Sequence, residues 1–194
     1  MEDLWRQVER CPRCEHLQEH VNKRVFGDGS VHARVMLVGE GPGADEDASG
    51  HPFVGEAGQL LTDILTMAGF PDRNHLFIAN TVKCRCWSKK GITLKNRKPS
   101  QKEILACWPF LARQIKIVNP KVIVGLGGTA IAALKGVSPS SVKSTRTAGL
   151  TEKIEGRWHL WTYHPSYPIY RGRDVALIEQ MVAHLTKAKE LSRA

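Results

Sequence analysis

The chain has 194 residues and a mass of 21.6 kDa, and 42% of its residues are hydrophobic, enough for one sizeable core but short for two. Its 28 Lys and Arg residues against 19 Asp and Glu give a formal net charge of +9, which favours a polyanionic partner. No apolar run approaches the roughly 20 residues that span a bilayer, and no secretion signal is recognisable. The sequence therefore excludes a membrane span and predicts a single domain over residues 1–194 in the cytoplasm.

Short apolar runs and amphipathic patterns alternate along the chain. The runs predict strands at residues 35–39, 76–80, 122–126 and 159–163. The amphipathic patterns predict helices at residues 58–68, 100–118, 129–134 and 174–191, the second of them opened by a capping box of Ser100 and Glu103. This order predicts a parallel sheet covered by helices on both faces. Ligands of such folds bind at the carboxyl ends of the strands, and residues 136–149 are the one linker-like region.

The segment between Gly39 and Gly58, directly after the first predicted strand, is rich in glycine and carboxylates and contains one Phe. It is not a Walker loop, because Gly55 is followed by Glu and Ala, and its glycine spacing does not match a dinucleotide fingerprint. Its carboxylates would also repel a phosphate. We expect one wall of a pocket for a flat, hydrogen-bonding ring; the alternative is a mobile surface loop.

The five cysteines are not expected to form disulfide bonds in a reducing compartment. Cys11 and Cys14 form a tight chelating pair, whereas a structural zinc site normally needs two such pairs. Cys84 and Cys86 are one residue too close for a second pair, and Cys107 lies in a predicted helix. Iron–sulfur clusters accept irregular spacing and all-thiolate ligation, which favours Cys11, Cys14, Cys107 and one of Cys84 or Cys86. Two alternatives stay open: a zinc site, or a core thiol at Cys107 with the other cysteines incidental.

A one-sided run of positive charge follows the second predicted strand. Because this run comes directly after Asn80 and includes Trp87, it favours phosphate neutralisation beside a base pocket and predicts strong salt dependence of binding. A solvated loop is the alternative. The run contains no acidic residue and consists of Lys83, Arg85, Lys89, Lys90, Lys95, Arg97, Lys98 and Lys102.

Several motifs occur in one order along the chain: Gly39-Glu-Gly-Pro-Gly43, Gly50-His-Pro-Phe-Val-Gly55-Glu-Ala-Gly58, Asn80-Thr-Val-Lys-Cys84-Arg85, Asn96-Arg-Lys-Pro99, Cys107 and His164-Pro-Ser166, preceded by Cys11-x-x-Cys14. This set, from about Cys11 to Arg171, resembles the family 4 uracil-DNA glycosylases. The resemblance implies a three-layer α/β/α sandwich with a central four-stranded parallel sheet and a structural [4Fe-4S] cluster. It also implies an enzyme that hydrolyses the N-glycosidic bond of uracil in DNA and leaves an abasic site.

The resemblance assigns roles to residues around the base. Phe53 is expected to stack on the extruded uracil, Asn80 to bond its Watson–Crick edge and His164 to donate toward O2. Gly41 stands where related family 1 enzymes have an Asp and belongs to the base-binding loop. These roles agree with the chemistry, since donors aimed at the base oxygen stabilise the departing anion and the base has to leave the duplex to be reached. For His164, a capped or exposed histidine is the alternative.

The group that positions the water is less specific in the sequence. Glu40 and Glu46 are our candidates, with Asp47 beside them, either for holding the nucleophile or for stabilising the oxocarbenium-like sugar by their negative field. Glu46 is also a candidate for excluding a thymine methyl group. The alternative for Glu40 is a carboxylate that accepts backbone amides within its own loop.

The expected partner is uracil-containing DNA, single- or double-stranded. The segment after His164 carries aromatic residues beside cations, which suits a wedge in the minor groove. Tyr167, Ile169 and Tyr170 are the candidate wedges, or else core anchors for the last helix. We expect a monomer in the prokaryotic nucleoid, with a sliding clamp as a candidate partner. Residues expected to contact DNA are Lys83, Arg85, Arg97, Ser166, Tyr167 and Arg171.

Two features depart from the family pattern. The spacing from Cys84 to Asn96 is longer than in the family, which indicates an insertion at residues 86–95. Cys86 lies within it at a position that is normally Pro, so the third cluster ligand is Cys84 or Cys86, and Cys84 keeps the motif register. A non-catalytic iron–sulfur module that binds DNA or senses damage is the second functional hypothesis.

Overall fold

A computed structural model describes residues 1–193 of the chain. Helices α1–α9 are Glu2–Glu9, Glu15–Gln18, Ala44–Ser49, Glu56–Met67, Gln101–Val118, Gly128–Lys135, Ser144–Thr147, Ser166–Tyr170 and Val175–Arg193. Strands β1–β8 are Asp28–Gly29, Val35–Gly39, Leu76–Asn80, Trp87–Lys90, Thr93–Asn96, Val122–Leu126, Thr151–Ile154 and Arg157–Thr162. No helix in the described range is long and apolar enough to cross a membrane.

The main sheet has the strand order β1-β3-β2-β6-β8-β7. The four predicted strands, β2, β3, β6 and β8, form its parallel centre, and β1 and β7 add antiparallel edges. The mixed α/β architecture is confirmed, but the sheet has six strands instead of four. Both edge strands escaped prediction because Asp28–Gly29 is exposed and Thr151–Ile154 is partly exposed, so neither carries an apolar run.

Alternate residues of the central strands face two hydrophobic layers, as the pleat of a strand requires. Val35 and Leu37 of β2 pack with residues of α4 and α9 on one face of the sheet. Met36 and Val38 pack with residues of α1, α5 and α6 on the other face. The three layers therefore arise because the apolar sides of these helices cover both faces of one buried sheet.

The predicted start and end of α5 are confirmed. Ser100 Oγ accepts the N–H of Glu103 at 3.3 Å, and Glu103 Oε2 accepts the N–H of Ser100 at 2.6 Å, which completes the capping box. The helix ends at Val118, where Asn119 takes a left-handed conformation. The capping box therefore marks the start of the helix in the sequence itself.

Two regions without a clear sequence signal are also ordered. The linker-like residues 136–149 contain a 3₁₀ turn at Pro139–Ser141 and the short α7. Most of the inserted residues belong to β4 and β5, an antiparallel hairpin that forms a sheet of its own. The insertion is therefore a folded element of the surface.

Candidate active site

The glycine-rich segment, the end of β3 and the residues after β8 meet in a pocket of about 310 Å³. The register of the sheet places Gly39 of β2 directly opposite Asn80 of β3. Phe53 and His164 line the same pocket, and so does Gly41. The predicted convergence at the carboxyl ends of the strands is thus observed, and we call this cavity the base pocket.

Gly39 allows two functional side chains to approach each other. A Cβ at this position would lie 2.4 Å from Asn80 Oδ1 and 2.5 Å from Phe53 Cζ, closer than real Cβ contacts come. The buried Phe53 ring also lies beside His164, with ring centroids 5.8 Å apart and an interplanar angle of 31°. Any larger residue at position 39 would displace the amide or the ring.

Phe53 has an unusual backbone conformation that an arginine holds in place. Its φ of 54° lies in the left-handed region, which is uncommon for a bulky residue and indicates a local cost. Arg73 donates from Nη1 to Phe53 O at 2.8 Å and from Nη2 to Pro52 O at 2.7 Å. Sequence reasoning missed Arg73, because it lies outside every motif and about twenty residues along the chain from its partners.

Asn80 carries an unpaired acceptor in the pocket. The residue is only 2% exposed, and its Oδ1 has no hydrogen-bond partner among residues 1–193. A buried acceptor without a partner costs about 1–3 kcal/mol. A ligand that donates a hydrogen bond at this point would remove that cost.

The hydrogen bonds of His164 indicate its tautomer. The backbone N–H of Ser166 donates to Nδ1 at 3.2 Å, and Ser166 Oγ lies 2.8 Å from the same nitrogen. Nδ1 is therefore the acceptor, and the proton of the neutral ring is on Nε2. Burial lowers the pKa of His164, while Glu40 and Glu46 oppose that shift to a smaller extent. The site thus holds a neutral imidazole with Nε2–H as donor, and Ser166, expected to contact DNA, orients it.

The carboxylate of Glu46 is fully engaged by its own loop. Oε2 accepts the N–H of Gly43 at 2.9 Å, and Oε1 accepts the N–H groups of Val54 and Gly55, also at 2.9 Å. Acceptance of backbone amides was the alternative for Glu40, yet Glu46 is the residue that does so. Glu46 therefore ties the start of α3 to the segment around Phe53.

Glu40 has a different environment. Its Oε2 accepts a short hydrogen bond from Thr129 Oγ1, and within residues 1–193 its Oε1 accepts none. Glu40 lines the base pocket and is half-buried. Thr129 was missed, although its position just after the carboxyl end of β6 is the place where the strand-end rule locates ligand-binding groups.

The structure contradicts the prediction that Lys83 contacts DNA. The side chain is only 1% exposed, and its Nζ donates to Asn80 O at 2.8 Å and to Gln114 Oε1 at 2.7 Å. Burial lowers the pKa of Lys83 to about 8. Lys83 therefore holds the backbone carbonyl of Asn80 by a hydrogen bond. Although it belongs to the basic run, its side chain is buried inside the protein.

The other residues expected to contact DNA lie near the pocket, and they differ in whether their side chains are bonded within the protein or exposed. Arg97 pairs with Glu103 at 2.6 Å, and Arg85 Nε donates to Asn96 Oδ1 at 2.7 Å. Tyr167 stacks on Tyr163 with ring centroids 5.4 Å apart and packs against the core. Ile169 also packs there, whereas Tyr170 is 84% exposed at the pocket and Arg171 is exposed beside it.

A second pocket, which we call the cysteine pocket, is lined by all five cysteines together with apolar residues such as Leu17 and Phe110. Burial, and then the neighbouring thiols of Cys107, Cys14 and Cys11, raises the pKa of Cys84 to about 12. The backbone N–H of Lys83 donates to Cys107 Sγ at 3.3 Å, a contact that also suits a cluster-bound sulfur. Among residues 1–193, no three His, Cys, Asp or Glu side chains are grouped as a site for a single metal ion.

Cys84 and Cys86 differ in their surroundings. The charged groups that act most strongly on Cys86 are Glu103 and Arg97, and Cys86 also lines the base pocket. The thiol of Cys86 donates a hydrogen bond to the backbone oxygen of Cys84 at 3.9 Å. After burial, the thiols of Cys107, Cys14 and Cys11 raise the pKa of Cys84, whereas only the thiols of Cys84 and Cys14 act in this way on Cys86. Cys84 therefore shares one pocket with Cys11, Cys14 and Cys107, and thiolates are the ligands of iron–sulfur clusters.

Comparison with known proteins gives a consistent result. Residues 26–186 match the family model of the Uracil DNA glycosylase superfamily. A type-4 uracil-DNA glycosylase of Thermotoga maritima is 39% identical over 93% of this chain and 90% of its own. Similar enzymes of Sulfurisphaera tokodaii and Pyrobaculum aerophilum are 35% and 41% identical, over 93% and 69% of this chain and 80% and 64% of theirs.

Proposed function

Because the chain belongs to the uracil DNA glycosylase superfamily and is a type-4 uracil-DNA glycosylase of DNA repair, we propose that the base pocket takes the extruded uracil. We also propose that residues 1–194 form one glycosylase domain, because one main sheet and its connecting segments build the pocket, and that this domain acts as a monomer. A contact with a sliding clamp and a location at the nucleoid stay predictions from the family resemblance.

The unpaired Oδ1 of Asn80 is the observation that carries this proposal. Uracil presents a donor at N3 and an acceptor at O4, and a side-chain amide offers the complementary acceptor and donor. Cytosine reverses both groups and would set donor against donor. Phe53 supports the same ligand, because stacking of a base on an aromatic ring contributes about 1–3 kcal/mol.

His164 is proposed to stabilise the leaving group. When the bond between C1′ and N1 breaks, its electron pair stays on uracil and is shared with O2, while water adds to C1′ and releases a proton. A neutral Nε2–H directed at O2 stabilises that anion, and one such donor typically contributes about 10²–10³ in rate. The hydrogen bonds from Ser166 support this role, because they keep the proton on Nε2.

Of the two predicted catalytic carboxylates, we propose Glu40 for the water and the sugar cation. Its Oε1 is free of protein partners in the described part of the chain, and Thr129 holds Oε2. Glu46 keeps a smaller part, through its field and by holding the loop, because three backbone amides occupy its oxygens.

We propose that Cys11, Cys14, Cys84 and Cys107 hold a [4Fe-4S] cluster. When bound, the cluster would cross-link the amino-terminal segment to α5 and to the residues after β3. The experiment replaces Cys84 and Cys86 by Ser, one at a time, in protein purified without oxygen. Cys84→Ser should remove the visible absorption and Cys86→Ser should retain it; the opposite pattern would assign Cys86, and colourless protein with one zinc would refute the cluster.

For DNA binding, we propose Arg171 and the exposed Tyr170 as contacts at the mouth of the base pocket. Arg85, Arg97, Ser166 and Tyr167 would act less directly, because each is partly buried or bonded within the protein. In this arrangement the DNA approaches the carboxyl edge of the sheet.

The activity test uses cluster-loaded protein and a uracil-containing single-stranded oligonucleotide, followed by alkaline cleavage of abasic sites. We expect cleavage at uracil and none at thymine, and a loss of about 10²–10³ in rate for Asn80→Ala. Asn74→Ala, at an exposed asparagine outside the pocket, is the matched control and should retain the rate. Intact strands from cluster-loaded protein would instead favour the non-catalytic DNA-binding module.

A further inference from the structure

The inserted hairpin stands apart from the main sheet. Within residues 1–193, β4 and β5 pair only with each other, from Trp87 opposite Asn96 to Lys90 opposite Thr93. This register leaves a two-residue turn of Gly91 and Ile92. Gly91 has a φ of 61°, the positive value that a type II′ turn requires at its first central position. The turn therefore fixes which residue forms the tip.

The root of the hairpin is anchored beside the base pocket. Trp87 Nε1 donates to Leu17 O at 3.1 Å, and its ring meets that of His20 edge-on, with centroids 4.5 Å apart. Arg97 closes the root by donating from its backbone N–H to Cys86 O at 3.0 Å. Asn96 and Arg97 line the base pocket. A fixed root at the pocket carries a tip that projects into solvent.

The projecting part is cationic with an apolar end. Lys89, Lys90 and Lys95 are exposed, and none forms an ion pair within the described residues. Ile92 is 99% exposed, so it contributes no packing to the fold. Tyr170, another highly exposed large side chain, lies at the same pocket on α8. Two projecting side chains thus belong to elements that both line the pocket.

We propose that the hairpin, residues 87–96, is a second duplex-binding element of this enzyme. Lys89, Lys90 and Lys95 pair with phosphates, and Ile92 enters the base stack next to the extruded uracil, complementing Tyr170. The inference rests on the proposed position of uracil in the base pocket. Apolar side chains that enter a base step stabilise an unstacked, kinked duplex, and extrusion from a duplex carries an unstacking cost that a single strand largely lacks.

The test compares kcat/KM on a uracil-containing duplex with kcat/KM on the same single strand. We expect Ile92→Ala to lower the duplex-to-single-strand ratio about tenfold, more for U·A than for U·G, because a mismatched base costs less to extrude. Replacement of Lys89, Lys90 and Lys95 by Gln should reduce the salt slope of duplex binding by about 2 to 3. The matched control replaces the exposed Lys116, Lys121 and Lys187 by Gln and should leave both the slope and the ratio unchanged.

A binding measurement separates insertion from simple attraction. A duplex with 2′-fluoro-deoxyuridine, which resists cleavage, carries 2-aminopurine beside the uracil. Its fluorescence should rise with the unaltered protein and rise less with Ile92→Ala. Equal ratios and equal fluorescence for both proteins would overturn the proposal, while continued excision from the single strand would show that the proposed function stands. Loss of excision on both substrates by the unaltered protein would overturn the proposed function itself.

Discussion

The base pocket and the cysteine pocket share Val82 and Cys86 in their walls, yet they are built in opposite ways. The base pocket retains unused hydrogen-bonding groups, such as Asn80 Oδ1 and one oxygen of Glu40. The cysteine pocket presents five thiols, one buried and four partly buried, beside apolar side chains such as Leu17 and Phe110. The first arrangement suits a ligand that enters and leaves, because each ligand that binds forms hydrogen bonds with the unpaired polar groups. The second suits a group that stays and stabilises the fold.

Lys83 is the physical link between the two pockets. Its backbone N–H donates to Cys107 Sγ, and its Nζ donates to the carbonyl of Asn80. A change on the cysteine side can therefore shift the side-chain amide of Asn80. If the comparison holds, variants of His164 and Glu40 should change the rate with little change in stability, whereas Lys83 variants should change both.

The largest effect is expected from His164→Leu, which removes the proposed donor to the departing base. The single-turnover rate should fall about 10²–10³-fold, with an unfolding temperature close to that of the unaltered protein. His32→Leu, at an exposed histidine, is the control. If His164→Leu also lowered the unfolding temperature strongly, His164 would be a structural residue. The base pocket would then, like the cysteine pocket, serve to stabilise the fold.

The two carboxylates separate catalysis from loop support. Glu40→Gln should lower the rate about 10²-fold, the usual contribution of a group that positions or activates water, with stability retained. Glu46→Gln should lower the free energy of unfolding by about 1–3 kcal/mol, because an amide NH₂ cannot accept from the backbone N–H groups it would face. Single-turnover kinetics and urea unfolding measure the two effects. A reversed pattern would make Glu46 the catalytic group.

A smaller effect is expected at the link. Lys83→Met keeps the length of the side chain but removes both donors to Asn80 O and Gln114, so the rate should fall about tenfold through misplacement of the amide. The salt slope of DNA binding should not change, since a buried side chain neutralises no phosphate. Lys98→Gln, in the same basic run but exposed, should reduce that slope by about 1. A reduced slope for Lys83→Met would restore the original DNA-contact prediction.

The sequence predicts the elements of the base pocket well because each depends on a local signal. The strand ends and the motif around Phe53 are set within a few residues, as is the capping box at Ser100 that starts α5 outside the pocket. Lys83 was misplaced because burial of a lysine depends on acceptors such as Gln114, thirty-one residues away. Arg73 was missed for the same reason, since only the folded chain brings it to the carbonyl of Phe53. Glu46 accepts three backbone amides whereas Glu40 accepts the hydroxyl of Thr129, and the spacing of residues in the sequence does not reveal this difference.

An effect on folding alone concerns acid stability and lies outside both pockets. His159 on β8 is 4% exposed, and burial, reinforced by Arg157 and Lys135 and opposed by Glu152, lowers its pKa from 6.5 to about 4. Between these values the unfolded chain binds the proton that the folded chain refuses, so the free energy of unfolding falls as pH decreases from about 6.5 to about 4. His159→Gln should flatten this dependence relative to the unaltered protein, and the exposed His32→Gln should not. Acid damage to a cluster would affect all three proteins alike. If the free energies of unfolding of His159→Gln and of the unaltered protein therefore differed by the same amount at every pH in that range, His159 would not be the cause of the acid destabilisation.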